Sequence, residues 1–179
     1  SSKFSCQQNA GAITPPAGFN NYLGITSLAT TTVGASDLYL IKHGIEGYNI
    51  ADLGWGTASA STVTLSFWVY SSLTGTFGGS LRNQDGSRSY PFTYAISTAN
   101  TWEQKTIVIV GDVSGTWLKT NGAGIYLYIG LGIGSTYSGT AGAWASADYR
   151  SATGATSVVG TNGATLYITG VQLEKGSTA

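Results

Sequence analysis

The chain has 179 residues, only 9% of them charged, and its eight Lys and Arg residues balance its eight Asp and Glu residues. Because phosphate groups and anionic lipids are bound by clustered basic side chains, this balance argues against nucleic acid as the main partner and against a polybasic membrane anchor. Hydrophobic residues make up 42% and aromatic residues 12%, which is enough to build the core of one domain.

Two residue counts restrict the chemistry further. Cys6 is the one cysteine, which excludes an intrachain disulfide and a cysteine-based metal site. The lack of methionine indicates a processed or fragmentary piece of a longer protein. No apolar run reaches the ~18 residues needed to cross a bilayer, and the first six residues lack the apolar run of a signal peptide. We therefore expect no membrane insertion.

In chain order, the first feature is a stretch over residues 1–18 that contains Pro15 and Pro16. It predicts an N-terminal arm or linker, followed by one domain over residues 19–179. Within that domain, apolar and polar residues alternate with the period of two that is typical of half-buried strands. Such strands are predicted at 39–45, 62–70, 90–96 and 125–134, with a last one at 164–173.

The run Ile107–Val110 is apolar at every position and predicts a strand that is buried on both faces or covered by a loop. Turn signals such as Gly78-Gly79, Asp85-Gly86 and Asn162-Gly163 separate the runs, and the chain has 26 glycines. No stretch of ten or more residues has the helical period. The predicted fold class is therefore all-β, an antiparallel two-sheet jelly-roll β-sandwich.

Residues 135–160 are rich in Gly, Ala, Ser and Thr and show no clear period. A loop of this length inside a compact domain is usually functional or a linker. An irregular edge strand within this stretch is the alternative.

Little in the sequence points to catalysis. His43 is the one histidine and shares a predicted strand face with Ile41 and Ile45, which favours a structural role. The acidic residues form no recognisable pair for glycoside hydrolysis, and most adjoin glycines or strand starts. A structural calcium ion needs several oxygen ligands, to which Asp85 with Asn83, or Asp112, could contribute, although the spacing does not support such a site. We predict no enzyme, no metal and no cofactor.

The aromatic residues suggest a binding surface. Alternation places Trp68 and Tyr70 on the second face of one strand and Tyr126 and Tyr128 on the second face of another. Glycines at 130, 132 and 134 then leave bare backbone beside the tyrosines, which is room for a sugar ring, another flat ligand or another chain. Alternatively, the rings are covered by residues 135–160 or by a neighbouring subunit.

Rings in Gly-rich loops and nearby polar groups extend this surface. Tyr137 and Trp144 lie in the long loop, and the three arginines of the chain are Arg82, Arg88 and Arg150. Arg82 and Arg88 flank a predicted turn, which could equally be a solvated hairpin tip. The candidate glycan-binding residues are Trp68, Tyr70, Arg82, Asn83, Arg88, Tyr126, Tyr128, Tyr137 and Trp144.

Several segments resemble one family of proteins. The most telling is the closing sequence Tyr167-Ile-Thr-Gly-Val-Gln-Leu-Glu-Lys-Gly176. Together, the segments are similar to the carbohydrate-binding-module-like jelly-roll domains of bacteriophage tail fibres and related virion appendages, over roughly residues 37–176. The other segments that carry the resemblance are Leu65–Phe77, Asn100–Lys105, Gly111–Trp117 and Gly134–Trp144.

The resemblance implies a homotrimeric virion protein on the particle surface, which contacts other virion proteins and binds host cell-surface glycan. It also implies a chain that continues beyond Glu174. The sequence departs from the sugar-binding modules at Thr169-Gly170, where they often carry adjacent aspartates. Neither a calcium site nor sugar-binding residues are therefore carried over.

Three functions remain open from the sequence. The first is a non-enzymatic recognition domain of a phage appendage. The second is a capsid decoration or cement protein whose aromatic face is an intersubunit surface. The third is a free carbohydrate-binding module of a secreted glycosidase.

Overall fold

The alternating runs form strands in the computed structural model, which describes residues 2–178. The described strands are β1 (Phe4–Gln8), β2 (Leu23–Ser27), β3 (Leu38–Glu46), β4 (Val63–Ser71), β5 (Gly75–Arg82), β6 (Ser89–Ile96), β7 (Glu103–Ile109), β8 (Ala123–Ile133), β9 (Ser138–Gly139), β10 (Ser151–Ala152) and β11 (Thr165–Lys175). Short 3-10 helices lie at Ala10–Ala12, Gly47–Leu53 and Ser135–Tyr137. None of these described helices has the length and apolar character needed to cross a membrane.

Two sheets pack face to face. One has five strands in the order β1-β2-β11-β4-β7, and the other has four in the order β3-β8-β5-β6. Neighbouring strands run antiparallel in both sheets, and the chain passes repeatedly from one sheet to the other, which is the connectivity of a jelly roll. The predicted fold class, an all-β two-sheet sandwich, is confirmed.

The core lies between the sheets and is built from the predicted apolar stripes. Leu65, Phe67 and Val69 of β4 are at most 1% exposed. They belong to the same buried cluster as Ile125 and Leu127 of β8. Full burial of one such side chain contributes roughly 1.5–3 kcal/mol, so the register that keeps these stripes inside is strongly preferred.

The prediction that β7 is buried on both faces is wrong. Val108 is 47% exposed and Val110 is 58% exposed, whereas Ile109 is fully buried. The reason is that side chains alternate along β7, so that Ile109 points into the core and Val108 points to the outer side of the five-stranded sheet. Its outer face is not covered along Val108.

The predicted turn at Gly78-Gly79 is also wrong, because both glycines lie inside β5. A Cβ atom on Gly79 would come 2.3 Å from the carbonyl oxygen of Tyr128 and 2.5 Å from the ring of Phe92. Gly79 is therefore required by close packing within the sheet, and not by a turn.

The predicted N-terminal arm contains an edge strand. Residues 4–8 form β1, which pairs with β2. Residues 9–14 then cross the outer side of the five-stranded sheet. Two hydrogen bonds hold them there: the Tyr22 hydroxyl donates one to the Ala10 carbonyl, and Trp102 Nε1 donates one to the Thr14 carbonyl, 2.9 Å away. The domain boundary at residue 19 stays a prediction.

The packing around β5 predicts the effect of a small substitution. Gly79→Ala would place a methyl group against backbone and a ring, so we expect it to lower the free energy of unfolding by about 1–3 kcal/mol or more. Gly34→Ala is the matched control, because its nearest contact is the flexible Asp37 carboxylate at 3.4 Å. Urea denaturation measures both, and equal stability of the two variants would contradict the packing described for β5.

Candidate ligand-binding face

The nine candidate residues do not form one site, because β4 and β8 belong to different sheets. Each sheet of a sandwich buries one face against the other, so the second faces of these strands point in opposite directions. Trp68 and Tyr70 lie on the outer side of the five-stranded sheet, whereas Tyr126 and Tyr128 lie on the outer side of the four-stranded sheet. The candidates are thus divided between separate surfaces.

Tyr70 belongs to a covered aromatic cluster. It is 9% exposed and stacks on Tyr167, with ring centroids 5.2 Å apart. Tyr22 also stacks on Tyr167, and Trp102 contacts both Tyr22 and Tyr70. Residues 9–14 cover this cluster, so Tyr70 has a structural position. Trp68 lies two residues before Tyr70 in β4 and is half-buried.

Asn83 and Arg88 hold the β5–β6 hairpin in place. Arg88 donates two hydrogen bonds to the buried carboxylate of Asp112, from Nε and Nη2, each 2.7 Å long. Asn83 is fully buried, accepts a hydrogen bond from the Arg88 backbone and donates one to the Thr116 carbonyl. These side chains are engaged within the chain.

Trp144 packs at the margin of the core. Its ring lies edge-to-face with those of Trp55 and Trp117, at centroid distances of 5.2 and 5.4 Å. Its Nε1 donates a hydrogen bond to the Val110 carbonyl, 2.8 Å away. The structure therefore places Trp144 with the core tryptophans, away from the tyrosines of β8.

The remaining four candidates lie together on the outer side of the four-stranded sheet, where three further charged residues join them. We call this surface the tyrosine–arginine face. It consists of Lys42, Arg82, Tyr126, Tyr128, Tyr137, Asp148 and Arg150.

Sheet register positions the strand residues of this face. Tyr126 and Tyr128 occupy alternate positions of β8, so both point outward. Arg82 of β5 lies directly opposite Tyr126, and Lys42 of β3 lies directly opposite Tyr128. Because directly opposite residues have Cβ atoms about 5 Å apart, pairing alone brings these four side chains together.

The long loop completes the face. Its strands β9 and β10 form a short parallel ribbon, and the Arg150 backbone donates a hydrogen bond to the Tyr137 carbonyl, 2.8 Å away. Ser151 lies where Cβ atoms on Gly78 and Gly130 would stand, 2.5 and 2.9 Å from its Oγ. The space predicted for a ligand beside the glycines is therefore filled by the chain itself.

One carboxylate ties the loop to the sheet. Asp148 accepts a hydrogen bond from Arg82 Nε at 2.6 Å and two from Arg150, the shorter at 2.8 Å. Burial alone would raise the pKa of Asp148, but the hydrogen bond from Arg150 and the charges of both arginines outweigh it, so the pKa lies below its usual value of 3.8.

The cations also lie over the rings. Lys42 Nζ is 3.8 Å from the Tyr126 ring centroid. The Arg150 guanidinium carbon is 4.9 Å from the Tyr137 centroid and 5.8 Å from that of Tyr128. Tyr126 and Tyr137 are half-buried and Tyr128 is 2% exposed, so Tyr126 and Tyr137 are the rings of the face that a ligand can reach.

Three members of the face were not among the nine candidates. Arg150 is one of the polar groups that the sequence suggests near the surface, but it was not included among the nine. Lys42 has a usable signal, because it alternates with Ile41 and His43 and so falls on the outer side of its strand. Asp148 has none, since its contact with Arg82 joins positions 66 residues apart.

Among residues 2–178, no group of three or more His, Cys, Asp or Glu side chains is placed to hold a metal ion.

Comparison with known proteins finds similarity only among solved structures. No protein-family model matches the chain. No curated protein matches it either. A CBM4 structure is 15% identical with a TM-score of 0.44, covering 87% of this chain and 84% of the other.

Two further solved structures are similar. The enzymatically active domain of tailspike protein 4 of bacteriophage CBA120 is 12% identical with a TM-score of 0.49, covering 97% of this chain and 19% of that chain. A Bacteroides thetaiotaomicron VPI-5482 protein described as sugar-binding is 9% identical with a TM-score of 0.47, covering 97% of this chain and 83% of that one. At these values the similarities carry no argument about what this chain binds.

The buried ion pair of Arg88 predicts a large loss of stability. Arg88→Ala would leave the Asp112 carboxylate, 1% exposed, without its cation, and we expect it to lower the free energy of unfolding by about 3–5 kcal/mol. Lys175→Ala is the matched control, because its pair with Asp52 is largely exposed and contributes about 0–1 kcal/mol. Thermal or urea unfolding checks the difference, and a negligible effect of Arg88→Ala would contradict the structural role given to Arg88.

The bridge at Asp148 predicts a pH dependence. Because the pKa of Asp148 is lower in the folded protein, its contribution to stability is complete above the usual value of 3.8 and is lost as the pH falls through the folded value. Asp148→Asn should therefore destabilise the protein most at neutral pH, with the difference from wild type shrinking in acid. Asp52→Asn is the control carboxylate, and a difference for Asp148→Asn that is independent of pH would contradict the bridge.

Proposed function

We propose that this chain is a non-catalytic recognition domain that binds glycan on the tyrosine–arginine face. The observation that carries the proposal is that aromatic and charged side chains cluster on that surface. In a chain with 9% charged residues, three tyrosines and three cations lie together on the outer side of one sheet.

The chemistry of this face suits saccharides. Sugars present C–H groups that pack against aromatic rings and hydroxyl groups that accept and donate hydrogen bonds. Tyr126 and Tyr137 supply half-exposed rings with hydroxyl groups, and Lys42 and Arg150 supply donors. The residues on β3 and β8 are held by a rigid sheet, which limits the ordering cost of binding.

A hydrolytic role does not suit the same residues. A glycosidase needs a second carboxyl group and a general acid with a raised pKa. Asp148 is the one carboxylate of the face, and its two arginine partners lower its pKa and so favour the ionised form. His43 does not belong to the face, because it lies on the inner side of β3 opposite Leu127.

The proposal extends to a phage virion appendage, such as a tail fibre, displayed on the particle surface as a homotrimer. The support is the sequence resemblance of segments such as Leu65–Phe77 and Tyr167–Gly176 to such proteins. Repeated copies would also suit a shallow face, because linked weak contacts raise the overall affinity by factors of about 10²–10⁴.

A glycan and bacterial-polysaccharide screen with the domain displayed multivalently tests this function. We expect a hit whose binding falls at least about tenfold in Tyr126→Ala and in Tyr137→Ala, the loss of about 1.4 kcal/mol that one ring contact supplies. Tyr48→Ala is the matched control, because Tyr48 is a 63% exposed tyrosine outside the face. Circular dichroism and thermal unfolding confirm that each variant is folded.

Three outcomes contradict parts of this proposal. A hit that resists both tyrosine substitutions but is lost in Trp68→Ala would move the site to the five-stranded sheet. A hit lost equally in Tyr48→Ala would point to non-specific adhesion. A blank across the panel would favour a structural role.

The second candidate is a capsid decoration or cement protein, and one feature favours it. A cleft of about 400 Å³ opens between the sheets and is lined mainly by aliphatic side chains, with His43, and Lys42 of the tyrosine–arginine face, also at its wall. Its aliphatic members are Leu23, Ile41, Leu127, Ile129, Ile168 and Val171. A second copy of this chain seated there would bury this surface, which light scattering would reveal as a dimer that Val171→Lys dissociates.

A further inference from the structure

The cations of the tyrosine–arginine face occupy the ring surfaces on which a neutral sugar would stack. Lys42 lies over Tyr126, and Arg150 lies over Tyr137 and, at longer range, Tyr128. Stacking a neutral sugar on Tyr126 would require displacement of the Lys42 ammonium group from the ring, with loss of a cation–π contact. A ligand group that binds Lys42 or Arg150 directly needs no such displacement.

The face also carries more positive than negative charge. Lys42, Arg82 and Arg150 contribute three cations, and Asp148 contributes one carboxylate, shared between the two arginines. Among the other described pairs, Arg88–Asp112, Lys105–Glu103 and Lys175–Asp52 each match one cation with one carboxylate. In a chain of zero net charge, the surplus on this face is therefore a local feature.

Lys42 and Arg150 are the more accessible cations of the face. The Arg82 side chain is only 11% exposed and is further held by hydrogen bonds from Nη1 to the carbonyls of Asn83 and Gln84, whereas that of Arg150 is 23% exposed and Lys42 is exposed. Arg150 uses Nε and Nη2 for Asp148, which leaves Nη1 outside that contact.

Lys42 and Arg150 lie beside neighbouring rings, because Lys42 is over Tyr126, Arg150 is beside Tyr128, and the centroids of these two rings are 6.0 Å apart. Lys42 is exposed and lies opposite Tyr128 in the sheet, and Tyr128 is one of the two rings beside Arg150. The exposed carboxylate of Glu46, the last residue of β3, belongs to the same strand as Lys42 but lies four positions away, about 13 Å along the strand.

We infer that the ligand of this face is an anionic saccharide, bearing carboxylate, sulfate or phosphate groups that bind Lys42 and Arg150. This inference rests on the proposed glycan-binding function. A guanidinium and an ammonium group on one face bind an anion through charge-assisted hydrogen bonds, and the tyrosine hydroxyl groups lie beside them for the sugar hydroxyls. A neutral polymer of the same backbone would lack the stronger of these contacts.

A panel of glycans in matched neutral and anionic forms tests the inference. One set contains the bacterial polysaccharides of the screen, each before and after its carboxyl groups are reduced or its sulfate and phosphate groups are removed. The other set contains dextran and its carboxymethyl, sulfate and phosphate derivatives. We expect binding to the anionic member of a pair alone, and weaker binding as the sodium chloride concentration rises. The three dextran derivatives separate carboxylate from sulfate and phosphate.

Charge substitutions locate the contact. We expect Lys42→Gln and Arg150→Gln each to weaken anionic binding about fivefold or more, with Lys42→Glu weakening it further. Lys119→Gln is the matched control, because Lys119 is exposed and lies outside the face. Since Lys42 is exposed, its variants should fold even where Arg150→Gln does not.

The outcomes separate the two proposals. Equal binding to neutral and anionic members, unaffected by salt or by Lys42→Gln, would overturn the anionic class and leave glycan recognition intact. An equal loss in Lys119→Gln would show non-specific polyanion binding and would also overturn it. A blank with every member of the panel would remove both proposals together.

Discussion

Burial of one face of each sheet is the constraint on which the rest of the structure depends. The apolar stripes of β4 and β8 fill the space between the sheets, and the polar and aromatic residues between them are then forced outward on opposite sides. The two outer faces differ in how far their aromatic residues are exposed. Residues 9–14 cover the aromatic cluster of the five-stranded sheet, while the four-stranded sheet keeps half-exposed tyrosines.

The Asp148 carboxylate fixes the arrangement of side chains on the outer face of the four-stranded sheet. It links Arg82 of β5 to Arg150 of the long loop, and the loop in turn brings Tyr137 beside the two tyrosines of β8. Partly buried carboxylates between two guanidinium groups keep their charge and their position. The same contact that anchors the loop therefore arranges the cations that we assign to ligand binding.

Local pattern was sufficient for much of the fold and for little of the site. Alternation identified β3, β4, β6, β8 and β11, because a strand with one buried face has apolar residues at every second position of its sequence. The Gly-Gly turn signal was misleading at Gly78-Gly79, where glycine is required by contacts with Phe92 and Ser151, which lie elsewhere in the sequence.

The site depended on non-local information to a greater degree. Which sheet β4 or β8 joins is set by pairing between distant segments, so the sequence grouped Trp68 with Tyr126 although they point in opposite directions. Arg88 and Trp144 resembled ligand-binding groups because their partners, Asp112 and Trp55, become neighbours only in the folded chain. Alternation on β8 accounts for the shared orientation of Tyr126 and Tyr128, but not for the position of Tyr137 or Arg82 beside them.

The most direct test of glycan recognition on this face is amide chemical-shift mapping of the ¹⁵N-labelled domain during titration with an oligosaccharide of the bound polysaccharide. The account predicts shifts confined to the backbone around Lys42, Tyr126, Tyr128, Tyr137 and Arg150. Shifts confined to the surroundings of Trp68 on the five-stranded sheet, or to the aliphatic cleft between the sheets, would contradict it.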